Sequence, residues 1–182
     1  MATPFDPGEV LGGLETRKCS IDKLEAPPKP GVYALFLDAE SLGGFPAGEG
    51  GLVYVGTSVN LAQREFDTHF SPTGTGFSTV RRSFGAILKN ELRLKAKPRG
   101  RGLTRQDLRC YVFDPSGESR LTQWMEQHLV VSVFPTAENR AAEDKLIPFA
   151  EPLLNLTKWK NPHRAEIMSL RAACVDEAGS HN

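Results

Sequence analysis

Two short runs of β-forming residues, Gly31–Leu37 (GVYALFL) and Leu52–Gly56 (LVYVG), constrain this chain more than any other feature. Both are dense in aliphatic and aromatic side chains and bounded by Gly or Pro, the pattern of buried strands. The Gly-rich stretch Asp38–Gly51 between them reads as an extended hairpin loop. The chain thus opens its core on an antiparallel hairpin rather than on βαβ repeats.

The remaining segments read as helices and strands around that hairpin. Residues 1–29 form a lead-in with a short helix near Pro7–Leu14, closed by the stiff Pro27-Pro28-Lys29-Pro30. Asn60 is placed to cap a helix reaching about Phe70. Ser78 or Thr79 caps another, on which Val80, Phe84, Ile87, Leu88 and Leu92 recur at helical spacing. A basic loop at Lys95–Thr104 and a strand at Leu108–Phe113 follow, then a helix from Pro115 to about His128 and a strand at Leu129–Phe134. A helix from Thr136 or Glu138 should stop near Ile147, at Pro148 and Pro152. A short helix near His163–Ala173 lies in a C-terminal tail, 157–182, behind a main domain of 30–156. The expected fold class is α+β (α/β), a small antiparallel sheet flanked by helices.

Composition narrows the function classes. A chain of 182 residues with 40% apolar and 24% charged residues suits one globular domain with its own core. No apolar stretch is long enough to span a membrane, and the N-terminus has no basic and apolar pattern of a secretory signal. Three widely spaced cysteines fit no zinc spacing and point to reduced thiols in a cytoplasm. The formal net charge is zero, yet residues 78–109 hold ten Lys or Arg against two acids, leaving the rest of the chain at −8. Such polarity is the footprint of a polyanion-binding face, or else of a solvated basic helix and loop. At 100° per residue, Arg82, Lys89 and Arg93 fall within about 40° of one another, away from the apolar stripe, so the helix buries one face and offers a basic row on the other.

Several residues are candidates for chemistry. Tyr33 and Tyr54 each stand three residues into a strand, and paired antiparallel strands bring such residues to one face, about 5 Å apart when directly opposed. Elsewhere, two tyrosines in strands are ordinary β-formers. Gly31 and Gly56 flank them and either let a phosphate backbone approach the sheet or serve as turns. On the helical wheel Leu146, Ile147 and Ala150 lie within about 60° of Glu143, which puts that carboxylate in the buried stripe. An ionised group there needs either a salt-bridge partner or a coordinated cation. Arg64 is a surface charge or a bidentate phosphate ligand, and Asn155 a turn residue after Pro152 or part of the same site.

Pro30-Gly31-Val32-Tyr33 and Val53-Tyr54-Val55-Gly56 resemble the two halves of the GIY-YIG nuclease motif. The resemblance continues in Asn60-Leu61-Ala62-Gln63-Arg64, in Glu143-Asp144-Lys145-Leu146-Ile147 and in Pro152-Leu153-Leu154-Asn155, so it covers residues 30–155. It implies a phosphodiesterase acting mainly on DNA, with RNA also open, and a Mg²⁺ or Mn²⁺ ion held by Glu143. It also implies that Tyr33 is a general base or positions water, that Tyr54 aligns the reactants and that Arg64 neutralises the transition state. Arg81, Arg82, Lys89 and Arg93 would contact phosphates with Gly31 and Gly56. Three departures stand out: Val replaces Ile in both tripeptides, the hairpin loop is long, and Thr57 stands where many members carry Lys. His69 falls five residues past Arg64 rather than the four common to members with a catalytic histidine, so it is either catalytic on a distorted helix or simply packed. The alternative function is a non-catalytic nucleic-acid-binding module on a degenerate fold.

Overall fold

A computed structural model describes residues 6–62, 65–102 and 104–180. In chain order the elements are α1 (Pro7–Thr16), β1 (Gly31–Leu37), β2 (Ser41–Leu42), β3 (Phe45–Pro46), β4 (Leu52–Ser58), α2 (Glu65–Phe70) and α3 (Thr79–Ile87). They continue with β5 (Ala96–Lys97), α4 (Arg105–Arg109), β6 (Val112–Phe113), α5 (Pro115–His128), β7 (Leu129–Pro135), α6 (Asn139–Ala150) and α7 (Arg164–Gly179). The chain is α+β and gathers into two compact units, residues 1–65 with 128–161, and residues 66–127 with 162–182. Among the described residues no helix is long and apolar enough to cross a membrane.

The first unit is built on a three-stranded antiparallel sheet ordered β4-β1-β7. All seven residues of β1 are buried, as a central strand with both faces covered requires. One face carries Val32, Ala34, Phe36 and Val55 and is closed by Val10, Leu11 and Leu14 of α1 and Ala142, Leu146 and Ile147 of α6. Helix α1 forms where Asp6 accepts the Gly8 amide at 3.0 Å and Pro7 presets the first turn. The loop after β1 is not a bare connection, because β2 and β3 form a small hairpin of their own within it. The outer edge of β4 is covered by the segment after α6, where the Leu154 amide donates to the Val53 carbonyl at 2.8 Å.

Pro148 does not end α6, contrary to expectation. It lies inside the last turn, and the helix runs on to Ala150, closed by Glu151 in the left-handed region at φ 48° with its amide on the Ile147 carbonyl. So near the end, proline forfeits only the bond to the Asp144 carbonyl, while buried Leu146 and Ile147 hold the turn in place.

The second unit packs α3, α5 and α7 around Phe84, Tyr111, Phe113, Leu121, Met125, Ile167 and Cys174. Two expectations fail here. The run Leu108–Phe113 is not a strand, since a Thr104–Asp107 capping box starts α4 and only Val112–Phe113 pair, with Ala96–Lys97. Helix α7 runs to Gly179 rather than fraying near Ala173. Its buried Ile167, Cys174 and Ala178 form a narrow stripe of mostly small residues, and Glu177 docks on Lys89 at 3.0 Å and on the Ala96 amide at 2.9 Å.

Candidate active site

The sheet brings the two tyrosines together as expected, though not directly opposed. Tyr33 pairs with Gly56, and Tyr54 with Leu35, so the phenols are diagonal neighbours on the face away from α1 and α6. Their ring centroids are 6.1 Å apart and tilted by 48°. Tyr33 is buried and Tyr54 half-buried. Gly56 explains the diagonal. A Cβ there would sit 2.5 Å from both Cζ and Oη of Tyr33, so the tyrosine ring lies across its glycine partner. The space above Gly56 is therefore filled by the Tyr33 ring. Gly31 is likewise a packing residue, because a Cβ would collide with the Phe134 carbonyl and with Leu61.

Asn155 is buried and anchored on β4. Its Oδ1 accepts the Val55 amide and its Nδ2 donates to the Val55 carbonyl, both at 2.8 Å. The side chain thus mimics a neighbouring strand next to Tyr54 and ties the segment after α6 to the sheet edge. Its own carbonyl accepts from Trp159 Nε1 at 2.7 Å.

Glu143 lies at the edge of the buried stripe of α6 rather than in its middle, with a side chain 17% exposed, while Asp144 beside it is open. Both carboxylates converge on one ammonium, Lys158 Nζ, at 2.5 Å from Glu143 Oε2 and 2.7 Å from Asp144 Oδ1. Those bonds hold the lysine's pKa above its ordinary value, Asp144 contributing first and Glu143 second. Lys158 adopts φ 72°, a left-handed conformation uncommon for a residue with a side chain. Nothing in the sequence singled it out, since a lysine in an irregular segment has no periodicity to place it. Among the described residues no three of His, Cys, Asp and Glu converge to hold a metal ion.

The second unit corrects the basic row. Arg81 is fully buried and Arg82 nearly so, and α3 stops at Ile87, so Lys89 and Arg93 are not on it. Arg81 pairs with Glu118 Oε2 at 2.9 Å and donates to Thr75, Thr122 and the His69 carbonyl, leaving nothing for a phosphate. Lys89 is bound to Glu177. Arg93, at φ 51°, remains exposed, and with Lys95, Lys97, Arg101, Arg105 and Arg109 it moves the open positive charge from the helix to the 93–109 segment. His69 is buried, with Nδ1 2.8 Å from Ser78 Oγ, and burial together with the Arg81 charge lowers its pKa to about 4. The imidazole is neutral at pH 7. Arg64 lies outside the described residues.

With a strand-borne tyrosine pair, a helix-borne glutamate and an α+β sheet on the page, the class is that of a small nuclease-type catalytic domain. The GIY-YIG catalytic domain family model matches residues 38–173, three quarters of the chain, and the protein belongs to that family. The matched span contains Tyr54, Arg64, His69, Glu143 and Asn155 and begins just after Tyr33. No curated protein and no solved structure matches the chain.

Proposed function

We propose that this protein is a metal-dependent endonuclease that hydrolyses phosphodiester bonds in DNA, with its chemistry centred on Glu143, Tyr33 and Tyr54. The observation that carries this reading is the convergence of Glu143 and Asp144 on a single cation. Two adjacent carboxylates that share an ammonium are a donor set suited to a hard divalent ion, which takes one or two carboxylates and fills its remaining positions with water and phosphate oxygen. Glu143 would hold Mg²⁺ or Mn²⁺, with Asp144 beside it, once Lys158 swings away. When bound, the ion supplies Lewis-acid stabilisation of charge on the phosphate and leaving oxygen.

The chain's own groups supply orientation. Tyr33, wedged over Gly56, has little freedom and would orient the attacking water, whose oxygen bonds to phosphorus as the bond to the leaving oxygen breaks, its proton passing to solvent and the leaving oxygen taking one up. Tyr54, the more open phenol, donates to the phosphate and aligns it. Arg64 is assigned the neutralisation of charge on the equatorial oxygens. Asn155 is a positioning residue, fixing β4 on either side of Val55. His69 fits packing better than proton transfer, given its burial and its low pKa.

The Lys158 pair also supports a second reading, a nucleic-acid-binding module in which Glu143 is purely structural. One assay separates the two. Supercoiled plasmid with Mg²⁺ or Mn²⁺ is nicked by the wild type, and nicking is lost in Glu143→Ala and cut severely in Tyr33→Phe. Equal background cleavage by all three proteins rejects the enzyme.

A further inference from the structure

Two anomalies meet at the start of α3, in the second unit. The first is charge. Arg82 is about nine-tenths buried, yet among the described residues its guanidinium meets only neutral oxygens, the Thr75 and Gly76 carbonyls through Nη1 and Thr79 Oγ1 through Nη2, all at 3.1 Å. Its Nε is buried with no acceptor among the described residues. Arg99 sends Nη1 to the same Gly76 carbonyl at 3.2 Å. Neither arginine is ion-paired with a carboxylate among the described residues. The nearby Asp107 turns its carboxylate to the Thr104 amide in a capping box and offers Arg99 only its carbonyl. Two guanidinium groups that share one neutral acceptor repel each other, and burial removes the water that would screen them. The Arg171 and Arg99 charges, after burial itself, push the Arg82 pKa down.

The second anomaly is apolar. Phe77 follows Gly76 directly and is 73% exposed, the most open aromatic ring among the described residues. The Arg99 guanidinium lies against its ring, with Cζ 5.1 Å from the ring centroid. Arg99 thus joins the two features, touching the carbonyl it shares with Arg82 and one face of the ring. Exposed Lys97 and Arg101 flank it in sequence.

We propose that Phe77 and Arg99 form a docking site for an unpaired nucleotide of a nucleic-acid strand, its base stacked on the exposed ring of Phe77 and its phosphate drawn to Arg99, with the buried Arg82 charge behind the shared Gly76 carbonyl adding to the positive field. One ligand answers both anomalies, because it carries an anion and a flat apolar surface a few ångström apart. Duplex DNA answers only the first, since its bases are already stacked. The inference rests on the nucleic-acid substrate of the nuclease reading and sharpens it to substrates with a single-stranded or frayed segment.

The test uses the full chain with EDTA present, so that binding is measured without cleavage and does not depend on the nuclease reading. Fluorescence anisotropy is followed with a labelled single-stranded 12-mer and with the same sequence as a blunt duplex. Phe77→Ala should weaken single-strand binding roughly 5-fold or more, the loss expected for one stacked base, with little change for the duplex. Phe77→Trp should restore the affinity, and oligonucleotide should quench its added fluorescence relative to the wild type. Arg99→Ala should weaken both ligands and flatten the salt dependence. Unchanged single-strand affinity in Phe77→Ala, with a wild-type melting temperature, overturns the proposal. So does an equal loss for strand and duplex. Tighter binding of an acidic, aromatic peptide than of the single strand also overturns it and assigns the patch to a protein partner.

Discussion

At the residue scale, the site depends on pairs that sequence spacing alone does not reveal. Gly56 and Tyr33 are one such pair, a glycine kept bare so that a tyrosine ring can lie across it. Gly56→Ala should destabilise the protein by about 1–3 kcal/mol, the range for overpacking a close contact. Urea denaturation measures this, and an unchanged midpoint contradicts the packing described. Lys158 is the counterpart of Glu143. If ammonium and metal compete for the same carboxylates, Lys158→Met should bind Mn²⁺ more tightly than the wild type in calorimetry, and equal or weaker binding argues that they do not. His69 sets a pH dependence. Folding lowers its pKa from 6.5 to about 4, so between those values the unfolded chain binds the extra proton. That contribution is complete above 6.5 and is lost as the pH falls towards 4, a loss of roughly 3 kcal/mol. Thermal melts across this range should show a smaller acid loss in His69→Gln, and an identical loss contradicts the assignment.

At the element scale, the three strands of the sheet were the most legible part of the chain, whereas Leu108–Phe113 was not a strand. GVYALFL and LVYVG occupy β1 and β4, and LVVSVF lies in β7, because buried sheet residues carry a dense, β-branched signature that neighbouring elements do not dilute. The helix at α3 was misread for a physical reason. Arg82 has the wheel position of a solvated face, whereas Arg81 falls between Leu88 and Leu92 on the apolar side; there Glu118 and Thr122, from a distant stretch of chain, and Thr75, just ahead of the helix, bury its charge, and sequence periodicity does not see those partners. Pro148 misled in the opposite direction, since a proline in a last turn costs one hydrogen bond rather than the helix. The Arg81–Glu118 pair gives this scale its prediction. Glu118→Ala leaves a buried guanidinium uncompensated and should cost about 3–5 kcal/mol, while Arg81→Met combined with Glu118→Leu should recover part of that loss. Denaturant unfolding of the single and double variants decides it, and a single variant as stable as the wild type refutes the pair's role.

At the scale of the whole molecule, two compact units divide the candidate residues. The tyrosines, Gly56, Glu143, Asn155 and Lys158 fall in the unit built on the sheet, and the exposed basic segment and Phe77 in the other. Family membership was legible from five short motifs in order, and the match over residues 38–173 agrees with it. What the motifs do not carry is the state of each side chain. They mark Glu143 but not the lysine that holds it, and Asn155 but not the strand edge it completes. The central claim is that Glu143 is the pivot of metal-dependent phosphodiester cleavage. The nicking rate of supercoiled plasmid across a Mn²⁺ titration, with Glu143→Gln beside the wild type, tests it most directly. The rate should rise with metal and saturate in the wild type and stay at the no-protein background in Glu143→Gln, whereas superimposable curves for the two proteins would contradict the claim.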